Sequence, residues 1–325
     1  MENTSLTEEY DMNNEEAYDS DDYISYMNSI QTTDTIINLY NKNLSYLPRI
    51  CNFTNLRILH CEYNNIKSIP RLSDTLVELH CDMNELKKLP HLPATLKELS
   101  CAGNRIKRLP KLKDSLIFLR CGDNRLVALP PLNDNLEFID CRNNKITSLP
   151  TLNSNLRELV CHNNKLTSLP QLNDKLLFLS CHNNKLTSLP PLNIELETIF
   201  CSTCKLTSLP PLNDNLRQLF CGSNELTYLP DIDKLERFDC SYNPINDIIC
   251  SSQYNNDIDL IKSRVKTLNR FRHLFQSLKY KNKFRKLLWE NVREKNIKDK
   301  YSPDNLEVLL MDVEDDDFDI VLDSW

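Results

Sequence analysis

Apolar positions return on a fixed beat between residues 34 and 245. Residues 161–170 and 181–190 are identical, CHNNKLTSLP. Cysteine stands at 61, 81, 101, 121, 141, 161, 181, 201 and 221, and Cys240 continues the row after one deletion. Asn follows three positions later, at 64, 84, 104, 124, 144, 164, 184, 224 and 243, with Cys204 as the exception. Leu or Ile comes two residues on, and an Ile-Pro or Leu-Pro pair then places proline at 70 and every twentieth residue to 230. The unit is LxxLxCxxNxLxxLPxLxxx, and self-similarity of this kind decides the architecture before any local propensity does. A longer, earlier copy reads INLYNKNLSYLPRI, with Leu39 in the cysteine's place.

In LxxLxC the apolar residues alternate with polar ones, which predicts a short strand with one buried face. Each copy then supplies one parallel strand and must return over the same distance. A helix advances about 1.5 Å per residue against about 3.3 Å for a strand, so the return leg is predicted to be extended. Proline in every return leg agrees, because it fixes φ and donates no hydrogen bond. One coil alone cannot fold: about six apolar side chains at ~2 kcal/mol each meet ~1–2 kcal/mol of ordering cost for each of twenty residues. Stacking supplies the rest. The recurring Asn is predicted to be a buried ladder satisfying backbone groups after each strand, with Cys204 its weak rung.

Outside the repeats the rhythm changes. An acidic leader, residues 1–33, sets Tyr23, Met27 and Ile30 at helical spacing and predicts a short capping helix, with disorder over about the first 15 residues. Beyond residue 245, Ile261, Val265, Leu268, Phe271, Phe275 and Leu278 predict a helix. Phe284, Leu287, Leu288 and Val292 predict a second, the two forming a basic cap over 246–300. In the acidic tail, 301–325, Ser302, Pro303 and Asp304 suit the start of a third short helix.

The 325 residues include three glycines against 16 prolines, which argues against turns that lean on glycine. Residues 1–33 hold nine acids and no Lys or Arg, and no apolar run follows Met1, so an export signal is not expected. The 13 cysteines are then expected to be free thiols in a reducing compartment. No stretch approaches the ~18 apolar residues of a membrane span, so no membrane partner is expected. Residues 262–300 carry 14 Lys or Arg against three acids, while 304–325 carry nine acids and no base. A basic helical pair raises nucleic acid as a partner, but an adjacent acidic tail neutralises it and the aromatics have core spacing, so none is expected.

The repeat resembles the leucine-rich-repeat family, in its short 20-residue, proline-containing subtype familiar from bacterial effector proteins. The resemblance covers residues 34–245 and implies an α/β-horseshoe-class solenoid: a parallel concave sheet, an extended or polyproline-like convex side, and a helical C-terminal cap. The closing segment YSPDNLEVLLMDVEDDDFDIVLDSW is similar to tails of giant DNA virus proteins of amoebae, of the mimivirus kind. That resemblance implies residence in the host cytoplasm or the virion.

Cys beside His invites a metal or thiol reading. Alternation opposes it, since Cys161 facing the core turns His162 outward, and stacked thiols form a line, not a tetrahedron. His162 and His182 would sit side by side, but two ligands without a third make a weak site; no metal and no cofactor are expected. The outward positions flanking each strand's middle residue place Phe118, Phe138 and Phe178 on one row, Phe200 and Phe220 on the next, with Arg120, Asp140 and Arg142 adding polar specificity. Contiguous outward aromatics mark a recognition surface; the alternative is that they only cover neighbouring strands. No catalytic constellation stands out. The expectation is a monomeric, non-catalytic adaptor that binds a protein on its concave face, a host protein if the viral resemblance holds. The alternatives are a ubiquitin-ligase-like effector acting through Cys250, which the resemblance implies but the 80 residues after the repeats do not accommodate, and a purely structural virion component.

Overall fold

The computed structural model describes residues 30–31, 33–47, 50–249 and 258–291, the side chains of 247 and 282–291 excepted. Eleven three-residue strands follow one another at the predicted interval: β1 (Ile36–Asn38), β2 (Ile58–His60), β3 (Glu78–His80), β4 (Glu98–Ser100), β5 (Phe118–Arg120), β6 (Phe138–Asp140), β7 (Glu158–Val160), β8 (Phe178–Ser180), β9 (Thr198–Phe200), β10 (Gln218–Phe220) and β11 (Arg237–Asp239). They form one parallel sheet in strict chain order, so each strand between the edges β1 and β11 pairs with the copy before and the copy after it. Register follows the repeat residue for residue, as in Phe118↔Phe138 and Leu119↔Ile139. The one-residue deletion is absorbed between β10 and β11, where Leu219 still faces Phe238. Among the described residues the return legs contain no α-helix, as their prolines and short span require. This is a leucine-rich-repeat solenoid.

The core is a set of stacked rows. Leu59, Leu79, Leu99 and their successors as far as Leu219 are fully buried with the cysteines from Cys61 to Cys221, and Leu39 fills the thiol's place in the first coil. The Asn ladder is present and fully bonded. Asn84 donates to the carbonyls of Cys61, Cys81 and Asp82 at 2.9–3.2 Å and accepts from the Ile66 N–H at 3.0 Å. At the break, Cys204 offers its thiol to the Cys181 carbonyl at a long 3.6 Å. Sulfur there also faces the Asn184 and Leu186 N–H groups. A second buried Asn row on the return leg, unremarked in the sequence pattern above, includes Asn153 and Asn193, which donate to Leu136 and Leu176 carbonyls at 2.8 and 3.0 Å.

The turn after each strand passes through the left-handed region two residues beyond the cysteine: Tyr63, Met83, Gly103, Asp123, Asn143, Asn163, Asn183, Thr203, Ser223 and Tyr242 all have φ between 51° and 64°. Glycine serves once. The turns therefore do not lean on glycine, as its scarcity predicts: the left-handed position recurs from coil to coil, and other residues occupy it at all but one. Asn and Asp tolerate this region best, and each such N–H donates to the next coil, as Asn143 does to the His162 carbonyl at 3.0 Å.

The chain divides into two compact units, residues 1–265 and 266–325. In the first, a short helix α1 (Asn246–Ile249) and the opening turns of α2 (Ile258–Asn291) follow β11. Ile249, Ile261 and Val265 are buried there, and Arg264 donates to the Ile249 carbonyl. The expected pair of helices is one continuous 34-residue helix. In the second unit Phe271, Leu274, Phe275 and Leu278 are exposed, so core-type spacing there does not make a core. No helix among the described residues is long and apolar enough to cross a membrane. The helix expected before Ile30, the third helix expected in the tail and Cys250 lie outside the described residues.

Candidate functional site

Pleating decides what the inner sheet presents. Because Leu59 and Cys61 point to the core, residues 58, 60 and 62 and their repeats point the other way. All ten residues singled out in the sequence lie on that face or at its rim, and they gather into four groups. Phe118 and Phe138 tilt against each other with centroids 6.3 Å apart, and the Arg120 guanidinium lies 5.3 Å from the Phe138 ring. Phe200 stacks on Phe220 at 4.6 Å, and Phe178 joins them, 5.7 Å from Phe200. Glu158 and Val160 separate the two aromatic groups. Only Phe118 is open, at 42%; the other four rings are half-buried because neighbouring strands cover part of each ring face.

Asp140 is buried, and its Oδ1 accepts from the Arg142 N–H at 3.1 Å while Oδ2 stands 3.6 Å from Arg142 Nε. Burial raises its carboxyl above the ordinary range, and the Arg142 N–H and charge work against that rise. Arg142 also approaches Asp123, at 3.7 Å. Gly122 leaves this group its room: an added Cβ would meet Arg142 Cγ at 3.0 Å.

His162 and His182 stack at 4.1 Å with 14° between their planes. Ser180 Oγ lies between them, 3.0 Å from one Nδ1 and 3.2 Å from the other. Burial, then the neighbouring His182 and Arg142, lower the pKa of His162 to about 4; burial also lowers that of His182. Both rings are neutral at pH 7. The pair recruits no carboxylate or thiol as a third ligand: the cysteines beside it face inward, and burial pushes their pKa well above 9.0, so they stay protonated thiols. All twelve described cysteines are free, and only Cys51 and Cys204 are partly open.

A second stacked pair lies outside the residues expected from the sequence. His60 and His80 lie with centroids 4.6 Å apart and 14° between planes, next to Glu62 and Glu78. The signal was available: HCE at 60–62 and HCD at 80–82 put a histidine and a carboxylate on one face in successive copies.

Comparison with known proteins agrees with this architecture. The family profile described as Leucine Rich repeats (2 copies) matches residues 134–174. The structure of YopM from Yersinia enterocolitica WA-314 is similar at 30% identity and a TM-score of 0.61, over 62% of this chain and 45% of that one. YopM from Yersinia pestis, described as a leucine-rich effector protein, is 33% identical at a TM-score of 0.61, over 64% and 61%. The functional domain of InlJ from Listeria monocytogenes, which includes a cysteine ladder, is 28% identical at a TM-score of 0.50, over 65% and 54%. The chain thus spans less than two thirds of each of these structures. No curated protein matches the sequence. The fold is that of the leucine-rich-repeat solenoids, and the family profile matches two of its coils.

Proposed function

We propose that the protein is a non-catalytic interaction module, of the 20-residue proline-containing subtype, that holds a protein partner on the concave face of its sheet. The observation that carries this reading is the pair of aromatic groups, Phe118 with Phe138 and Phe178 with Phe200 and Phe220, set on an uninterrupted parallel sheet. Rings fixed by their neighbours lose little freedom on binding, and aromatic and Arg side chains dominate binding energy where they are desolvated. Arg120, Asp140 and Arg142 supply charge between and beside the rings, and the neutral His162–His182 stack adds an apolar face at neutral pH. A continuous open sheet face gives little of the concavity that catalysis uses. On the likeness of the tail to giant-virus proteins, we place the module in the host cytoplasm or the virion, with a host protein as partner.

The test replaces Phe118, Phe138, Phe200 and Phe220 by Ser and compares proteins captured by the intact chain and the variant, both verified as folded by circular dichroism. Loss of a captured protein supports the reading. An unchanged set favours a purely structural role instead.

A further inference from the structure

The first strands of the sheet gather polar groups that the aromatic surface does not use. His60, Glu62 and His80 each bring a ligating atom within 4.8 Å of the others. Glu78 and Glu98 form a second such group around the same His80. His60 Nδ1 is 3.0 Å from Glu62 Oε1, and His80 Nε2 is 3.5 Å from Glu78 Oε2. The other oxygen of the Glu62 carboxylate, Oε2, is buried and meets no hydrogen-bond donor. Withdrawing a carboxylate oxygen from water without a partner is costly, and a cation facing it removes that cost.

We propose that His60, Glu62 and His80 form a binding site for a divalent first-row transition ion of the zinc type. The donor set decides the class. Ca²⁺ and Mg²⁺ take oxygen ligands in greater number, whereas two imidazoles and one carboxylate suit Zn²⁺ and its neighbours. Three protein ligands leave a coordination position on the open side of the sheet, where water or a partner's side chain can bind. Glu78 is a positioning residue: a ligating histidine ordinarily has a carboxylate or carbonyl at its other nitrogen, and Glu78 stands beside the His80 ring. The repeat places its own control in the same protein. His162 and His182 stack equally well, yet Ser180 lies between their nitrogens and the cationic Arg142 bears on His162.

The experiment titrates the full-length, reduced, chelator-stripped protein with Zn²⁺ by calorimetry and with Co²⁺ by absorption. One equivalent bound is expected, with a cobalt spectrum free of thiolate charge transfer. Removing an orienting outer partner of a metal site costs about 10- to 100-fold in affinity, so loss of a ligand itself in His60→Ala or His80→Ala is expected to cost about 100-fold or more. The His162→Ala, His182→Ala double variant is expected to bind as the parent does. Glu62→Gln, which keeps the side chain's shape, provides a variant that folds if the alanine variants do not, and it should lose the rise in melting temperature that zinc gives the parent. Failure of the parent to bind, binding unchanged in His80→Ala and Glu62→Gln, or a thiolate cobalt spectrum would each overturn the site. Zinc binding should persist in the four-Phe variant, so this site and partner capture stand or fall separately.

Discussion

The two polar residue types in the repeat carry opposite tasks. The cysteines act as small apolar side chains in a dry row, where burial disfavours the thiolate that alkylation requires. Iodoacetamide at pH 8 should therefore modify Cys51 rapidly and leave the row from Cys61 to Cys221 untouched until urea unfolds the chain, as read by intact mass and peptide mapping. Labelling of the row at the rate of Cys51 would place those sulfurs in water and remove the basis of the fold assignment. Asparagine carries the bonding. Asn144 satisfies the Leu126 N–H and the carbonyls of Cys121, Cys141 and Arg142, so Asn144→Ala should cost roughly 1–3 kcal/mol in urea unfolding. The mirror experiment repairs the weak rung: Cys204→Asn should gain about 1 kcal/mol, since an amide replaces a poor sulfur acceptor and a long sulfur contact.

At the scale of elements, three-residue strands owe their existence to neighbours. None could persist alone, and each between the edge strands β1 and β11 is held by backbone bonds on both sides, such as Cys121 N–H to the Asp140 carbonyl at 2.7 Å. The left-handed turn residue and the Asn after it fix where each strand stops, which keeps register along the sheet. Helix α2 shows the limit of periodicity as a guide. Its apolar residues share one rhythm, yet Ile261 and Val265 are buried whereas Phe271 and Phe275 are 66% and 65% exposed. Ile261→Ala should cost about 2–4 kcal/mol by leaving a cavity, and Phe271→Ala should stay within about 0.5 kcal/mol, both measured by chemical denaturation. Equal losses would mean that the exposed stripe is packed in solution.

For the repeat unit as a whole, a stack in which each coil touches only its neighbours should tolerate removal of one coil in register. Deleting residues 141–160 joins Asp140 to Cys161 and restores the beat. The shortened chain should keep its circular dichroism signature and unfold with a denaturant slope lower by about a tenth, because the slope scales with buried surface. Loss of cooperative unfolding would show that distant coils depend on one another. The same one-dimensional order brings His60 to His80, Phe118 to Phe138 and His162 to His182: residues 20 apart in sequence become cross-strand neighbours.

The sequence by itself determined the coil, its length, the inward thiols, the Asn ladder and the face on which Phe118 through Phe220 stand. Those follow from a period of two along a strand and of twenty between strands, and both are written in the letters. Only the tertiary structure decided how open each ring is, that Phe178 groups with Phe200 rather than with Phe138, and that Glu62 is left with a buried unpaired oxygen beside two histidines. It also decided that α2 is one helix with a bare apolar stripe. Exposure, ring tilt and hydrogen-bond satisfaction depend on what lies across the strand and beyond the last coil, and a local pattern carries the spacing of side chains but not the surfaces they meet.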